Sequence, residues 1–269
     1  MILAFDIGNT NVAAGIYVRG QLVSHWKLRR LAAAGRSWWK ELTVLACAEA
    51  GTAPADLTGC VVSSVVPAVS RLLPRLLGNL TGTTPLLVSG SLPLGVSFAY
   101  DDPDRLGPDR ICAMLAAVKK YGTPVIVVDC GTAITFDGVS RRRKHIGGMI
   151  APGIAMSAAA LGRSTAALPS ADWYVPLRPA GTDTLAGIRS GVWFGAVGGI
   201  RENVSQLKAI VGNSATVVGT GGDAPALMKS AALFDVLDPT LVLEGAVTAW
   251  RKVRGGKKSS TSRRRGAKQ

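Results

Sequence analysis

The chain has 269 residues, of which 48% are hydrophobic and 18% charged, with a formal net charge of +14 at pH 7. This balance describes a folded chain of one or two domains and excludes an intrinsically disordered one. No apolar run approaches the ~18 residues of a membrane span, and the first residues enter a strand with no basic leader before them, so the cytoplasm is the expected compartment.

Ile2 to Phe5 is an apolar strand that runs into the polar turn Asp6-Ile-Gly-Asn-Thr-Asn11. Val12 to Val18 resumes an apolar strand, Arg19-Gly20 marks a hairpin tip, and Trp26-Lys27-Leu28 closes a third strand. Apolar residues at helical spacing predict a helix from Ser37 to Ala50. Its adjacent tryptophans, Trp38 and Trp39, point different ways, so one is expected at an edge or a subunit interface. Val61-Val62 reads as a strand before Ser63-Ser64, and Pro67 opens a helix from Ala68 to Leu77 with its φ already set for a first turn. Thr84 to Val88 is another strand, and the alternation argues an α/β class. The acids Asp101, Asp102 and Asp104 read as solvated loop residues ahead of a helix from Ile111 to Lys120. Asp109 and Arg110 fall in the first turn of that helix, where the helix dipole favours a carboxylate.

Pro124 to Val128 is a β-branched run suited to a buried strand, yet it meets Asp129, which such strands avoid unless it has chemistry to do. Gly131, Thr132, Thr135 and Asp137 follow, then a basic hairpin tip over Arg141 to Lys144. Gly147-Gly148 and Ala151-Pro-Gly153 suit close backbone approach, and Ile154 to Leu161 is an alanine-rich helix. Thr184 to Ile200 is a second helix holding Gly191, Gly195, Gly198 and Gly199. Each glycine costs roughly 1 kcal/mol against alanine, which close approach by another helix would offset, with Trp193 and Phe194 as anchors. Thr216 to Val218 is a strand, Gly219-Thr-Gly-Gly222 a glycine turn, and Leu241 opens the closing helix. His25 and His145 lack a triad or metal context. Cys47, Cys60, Cys112 and Cys130 lack metal-ligand spacing, so no chemistry is assigned to them. From Arg251 to Gln269 there are nine Lys and Arg and no acid, leaving 14 − 9 = +5 for the body. This tail is expected to be disordered and to bind RNA non-specifically at most, since no aromatics interleave to stack bases.

Asp-x-Gly-x-Thr at 6–10 is matched by Asp-x-Gly-Thr at 129–132, an offset of 129 − 6 = 123 residues, about one domain length. A strand, a glycine turn and a returning strand bring a carboxylate, backbone N–H groups and hydroxyls together, which suits a phosphate and its cation. The repetition implies an internal duplication with the active site in the cleft between two similar halves. Three segments are read: residues 1–118, 119–250 and the tail 251–269.

Four stretches, Asp6-Ile-Gly-Asn-Thr10, Gly107-Pro-Asp-Arg110, Asp129-Cys-Gly-Thr-Ala133 and Gly147-Gly-Met-Ile-Ala-Pro-Gly153, stand in the order found in the type III pantothenate kinases, which the chain resembles. The resemblance implies two actin-like (ribonuclease H-like) α/β domains and ATP-dependent phosphorylation of pantothenate, the first step of coenzyme A synthesis. It implies ATP contacts from Asp6, Ile7, Gly8, Asn9, Thr10, Asn11, Val12 and Ala13, with Thr132 from the second turn. Asp6 would hold Mg²⁺ directly or through water, and Asp129 a monovalent cation, K⁺ or NH₄⁺. Asp109 would be the general base, and Tyr100, Gly107, Pro108, Asp109, Arg110 and Thr184 would contact pantothenate. The family precedent is a homodimer. Two departures are Pro108, where relatives carry Ala, and Ala13, where many carry Lys. The alternative is a non-catalytic, transcription-related relative, which should have lost Asp6, Asp109 or Asp129. This chain keeps all three.

Overall fold

A computed structural model describes residues 1–30 and 35–265, with side-chain placement through Gly255. The chain divides into two compact units, Met1–Ala116 with Leu241–Gln269, and Ala117–Thr240.

Unit 1 is built on a five-stranded sheet of β1 (Ile2–Ile7), β2 (Asn11–Val18), β3 (Gln21–Arg29), β4 (Gly59–Ser64) and β5 (Leu86–Leu87), ordered β3-β2-β1-β4-β5. β1 pairs antiparallel with β2 and parallel with β4. Side chains alternate across a strand, so Leu3, Phe5 and Ile7 share one face. They are buried there with Trp39 and Leu42 of α1 (Arg36–Glu49) and Leu73 and Leu77 of α2 (Pro67–Thr81). The last helix, α7 (Leu241–Arg265), packs against β1, β4 and β2. Coverage by helices explains why β1 reads as an unbroken apolar run. Trp39 is fully buried and meets Trp38 edge-on at 4.7 Å, so the tryptophan pair divides between core and periphery of one helix.

Unit 2 repeats the plan. Its sheet holds β6 (Val125–Cys130), β7 (Ala133–Val139), β8 (His145–Pro152), β9 (Thr216–Thr220) and β10 (Val236–Leu237), ordered β10-β9-β6-β7-β8. Read from the other edge, this is the order of unit 1, with the same antiparallel and parallel pairings. Its core joins Ile126, Val128 and Phe136 to one stripe of α5 (Thr184–Val211), namely Trp193, Val197, Ile200, Val204, Leu207 and Val211. Trp193 is therefore committed to its own core, where it stacks on Trp173 at 5.9 Å, and is not an external anchor. Phe194, beside it, stays 45% exposed.

Two sequence readings differ from the structure. Residues 241–250 belong with unit 1, not with the second half, because Gly245 lets α7 approach the Cys112 carbonyl and Trp250 covers Gly59. The stretch from Arg251 to Arg265, expected as a disordered tail, continues α7. Its first turn is held down by Arg251 against Gly20 and by Arg254, which donates to the Thr84 carbonyl at 3.1 Å. Residues 266–269 of the expected tail lie outside the described residues. Among the described residues no helix is long and apolar enough to cross a membrane.

Candidate active site

In unit 1 the carboxylate strand β1 ends Asp6-Ile7 and turns at Gly8, whose N–H donates to the Asn11 carbonyl at 2.9 Å. Asn9, Thr10 and Asn11 are exposed on this turn, while Val12 is buried and Ala13 half-buried on β2. Arg30, just past β3, grips the turn twice: its main-chain N–H donates to the Thr10 carbonyl at 2.8 Å and its Nε to the Asn9 carbonyl at 3.1 Å. Asp6 sits opposite Ser63 on the parallel neighbour β4, and the buried Ser63 hydroxyl donates to Asp6 Oδ1 at 3.2 Å.

The second motif of unit 1 opens α3 (Pro108–Tyr121), with Pro108 at its first position. The Asp109 carboxylate lies over Gly107, where any Cβ would stand 2.5 Å from Asp109 Oδ1. Only a glycine before the helix leaves room for it. Asp109 Oδ1 also accepts the Arg110 N–H at 2.8 Å, and the buried Arg110 donates from Nη1 to the Tyr100 hydroxyl at 3.1 Å. Tyr100, Gly107, Asp109 and Arg110 are thus brought together. Cys112, one turn along α3, is fully buried. Burial drives its thiol well above the ordinary range, and the negative charges of Asp6 and Asp109 push it further, while Ser63 hydrogen-bonds to it. The thiol stays protonated and fully buried.

In unit 2, Asp129 is the fifth residue of β6, as Asp6 is of β1. The parallel neighbour again offers a buried hydroxyl in register, Thr220. Gly131 N–H donates to the Ala133 carbonyl at 3.0 Å, and Thr132 is exposed at the turn. Two glycines crowd this turn. A Cβ at Gly153 would lie 2.3 Å from the Gly131 carbonyl, and one at Gly221, which has φ +91°, would lie 2.4 Å from Asp129 Oδ1. Asp223 N–H donates to the Cys130 carbonyl at 2.9 Å, bringing a second carboxylate beside the turn. Burial raises the Cys130 thiol, and the charges of Asp129 and Asp223 add to it.

Thr184 is the exposed first residue of α5, capped by Asp183, whose Oδ1 accepts the Ala186 N–H at 2.8 Å. Among the described residues no cluster of three or more His, Cys, Asp or Glu is arranged to hold a metal. A cation at Asp6 or Asp129 would therefore take phosphate oxygens or water as its remaining ligands, an arrangement that at Asp6 suits Mg²⁺. The single carboxylate, the hydroxyl opposite it and the glycine turn fit that role.

Sequence reasoning missed three features. Arg30 was one of several basic residues around the end of the third strand. Asp223 was hidden behind a common glycine turn. Asp238 is buried and accepts from Lys120 Nζ at 2.5 Å and from the Tyr121 hydroxyl at 2.7 Å. No short-range spacing could pair residues more than a hundred positions apart.

The family model described as type III pantothenate kinase matches residues 2–206. A type III pantothenate kinase from Dehalococcoides mccartyi (strain CBDB1) is 36% identical over 244 residues, covering 91% of this chain and 93% of the relative. One from Halalkalibacterium halodurans is 35% identical over 255 residues, covering 94% and 99%. In structure, the activator of the 2-hydroxyisocaproyl-CoA dehydratase from Clostridium difficile superposes with a TM-score of 0.56 at 13% identity, covering 97% of each chain. That likeness concerns the fold alone.

Proposed function

The chain belongs to the type III pantothenate kinase family and phosphorylates pantothenate in coenzyme A biosynthesis, and from that premise we propose how its residues divide the work. The non-catalytic alternative is not favoured, since the relatives are kinases and all three carboxylates are kept.

Phosphoryl transfer asks a protein mainly to hold a triphosphate, neutralise its charge and align a hydroxyl. The turn from Gly8 to Asn11 supplies main-chain and side-chain donors to the phosphates, flanked by Asp6, Ile7, Val12 and Ala13, and Thr132 adds a nucleotide contact from the twin turn. Asp6 holds Mg²⁺, directly or through water, in an orientation set by Ser63. Asp129 holds K⁺ or NH₄⁺. Bound there, the cations would neutralise charge on the triphosphate. Asp109 accepts the proton of the pantothenate hydroxyl, and Tyr100, Gly107, Pro108, Arg110 and Thr184 position the substrate. The observation that carries this reading is the Asp6 turn: a carboxylate at a strand end held by the buried Ser63 hydroxyl at 3.2 Å, running into a glycine turn that Arg30 braces on the Thr10 and Asn9 carbonyls. Pro108 removes an N–H at the first helical position, where none is needed. A coupled assay with pantothenate, ATP, Mg²⁺ and K⁺, with each left out in turn, tests the reading. Full turnover without pantothenate or without Mg²⁺ would overturn it.

A homodimer in the cytoplasm completes the proposal. Among the described residues, Gly187, Gly191, Gly195, Gly198 and Gly199 have open space where a Cβ would stand, so close packing by another element of the described chain does not account for them. Gly191, Gly195 and Gly199 instead line a cavity of about 270 Å³ with Ser157, Phe136 and Asn203. Side chains of a second copy seated there, beside the exposed Phe194, would account for the glycine face. Gly195→Leu should lower the dimer population and the apparent affinity for pantothenate. Light scattering that shows an active wild-type monomer at assay concentration would remove the dimer from the reading.

A further inference from the structure

The twin turns differ at one matched position. In unit 1 the residue whose N–H closes the turn onto the Thr10 carbonyl is Arg30, at 2.8 Å; in unit 2 the residue that closes onto the Thr132 carbonyl is Gly153, at 3.1 Å. Each directly follows the third strand of its unit, β3 or β8. At Gly153 there is no room for a side chain, because a Cβ would collide with the Gly131 and Thr132 carbonyls. At position 30 the chain carries a guanidinium, fixed by its Nε on the Asn9 carbonyl at 3.1 Å. One of five donors is spent on that bond. Among the described residues no carboxylate pairs with Arg30. Its hydrogen bonds go to the two carbonyls of the turn itself. A half-buried cation without an acid, tied to a turn that presents N–H groups and hydroxyls, is built for an anion.

We infer that Arg30 contacts the nucleotide phosphates and supplies positive charge to the unit 1 turn. This rests on the reading that residues 8–11 hold the triphosphate. Guanidinium suits it better than ammonium, since one N–H can anchor the group while the others face phosphate oxygens. The neighbouring position 13 contributes only the methyl of Ala13, so β2 brings no cation of its own there. Lys27 stands opposite Ala13 across the β2–β3 pair and adds to the positive field on the same strand.

The test is calorimetric binding of the non-hydrolysable ATP analogue AMPPNP and of adenosine to the full-length protein. Arg30→Gln retains a donor for the Asn9 carbonyl and drops the charge. AMPPNP affinity should fall about tenfold, as for a lost charged hydrogen bond, with adenosine affinity unchanged and the salt dependence of AMPPNP binding reduced. Arg30→Lys should recover part of the loss. Equal losses for AMPPNP and adenosine would mean that Arg30 only braces the turn, and the inference fails. Gly8→Val, checked by its melting temperature, separates the two layers. If Gly8→Val abolishes AMPPNP binding and Arg30→Gln binds like wild type, Arg30 is excluded while the turn remains the phosphate site. If a folded Gly8→Val protein binds AMPPNP normally, the reading of the turn falls, and Arg30 with it.

Discussion

Asp6 and Asp129 occupy the same place in two sheets of the same order, yet their surroundings differ in sign and size. Around Asp6 stand Arg30 on the turn, Ser63 on the carboxylate and the buried Cys112 thiol behind. Around Asp129 stand Gly153 and Gly221, with Asp223 adding a second negative charge near Cys130. The first setting collects donors and positive charge, which suits phosphate. The second is glycine-lined and acidic, which suits a bound cation with oxygen ligands. Duplication explains the shared backbone, and the later side chains explain why the two turns need not do the same work. A third carboxylate breaks the symmetry outright, because Asp109 rides on α3 of unit 1 and has no counterpart among the motifs of unit 2.

The largest expected effect comes from that asymmetric residue. Asp109→Asn keeps the size of the side chain and its bond to the Arg110 N–H, but removes proton acceptance. General-base contributions are typically ~10²–10⁴-fold, so kcat should fall by at least that range while circular dichroism and melting temperature stay close to wild type. Near-normal turnover would take Asp109 out of the mechanism.

The next test asks whether the twins are equivalent. If Asp129 holds a monovalent cation, turnover in sodium-only buffer should rise by about tenfold on adding K⁺ or NH₄⁺, a barrier change of about 1.4 kcal/mol. Asp129→Ala should lose that response, whereas Asp6→Asn should lose Mg²⁺ dependence instead. Equal wild-type rates in Na⁺ and K⁺ would sink the division of labour between the turns.

The fold was legible in the sequence to the extent that its signals were local. Apolar runs found β1, β6 and β9, and Pro67 marked the start of α2. The two Asp-Gly-Thr turns announced the duplication before any strand order was known. What escaped were features decided by distant packing. α5 continues past Ile200 to Val211, because its buried stripe goes on through Val204 and Leu207. α7 joins unit 1 through close contacts at Gly245 and Gly59 that no chain-order argument could supply. Arg30 was invisible because its meaning lies in two carbonyls twenty residues upstream.

A third effect belongs to unit 2 alone. Burial pushes the Asp238 carboxyl up, but hydrogen bonds from Lys120 and Tyr121 and the Lys120 charge more than offset this and hold it below its ordinary value of 3.8. A depressed carboxylate contributes stability above its unfolded value, and that stability is lost as pH falls through the folded value. Asp238→Asn should therefore destabilise the protein at pH 7 by about 1–3 kcal/mol, as for a broken buried hydrogen-bond group. The gap between wild type and variant should narrow as pH falls below 3.8. A gap that is constant from neutral to acidic pH would show that the carboxylate charge is not what Lys120 and Tyr121 stabilise.

The smallest effect is expected at the end of α7, which belongs to unit 1. Arg251 and Arg254 fasten the helix to the Gly20 hairpin tip and to the Thr84 carbonyl. Both contacts lie before residue 255, and the family match stops at residue 206. Truncation after Arg254 keeps these fastenings and removes Lys257, Lys258, Arg263, Arg264, Arg265 and Lys268. kcat/KM should then stay within about twofold, a change under ~0.5 kcal/mol, while any retention on RNA should weaken and lose its salt dependence. A cut before Arg251 removes the fastenings as well, and should lower the melting temperature where the longer truncation product does not. A large loss of kinase activity from the cut after Arg254 would show instead that these basic residues take part in turnover.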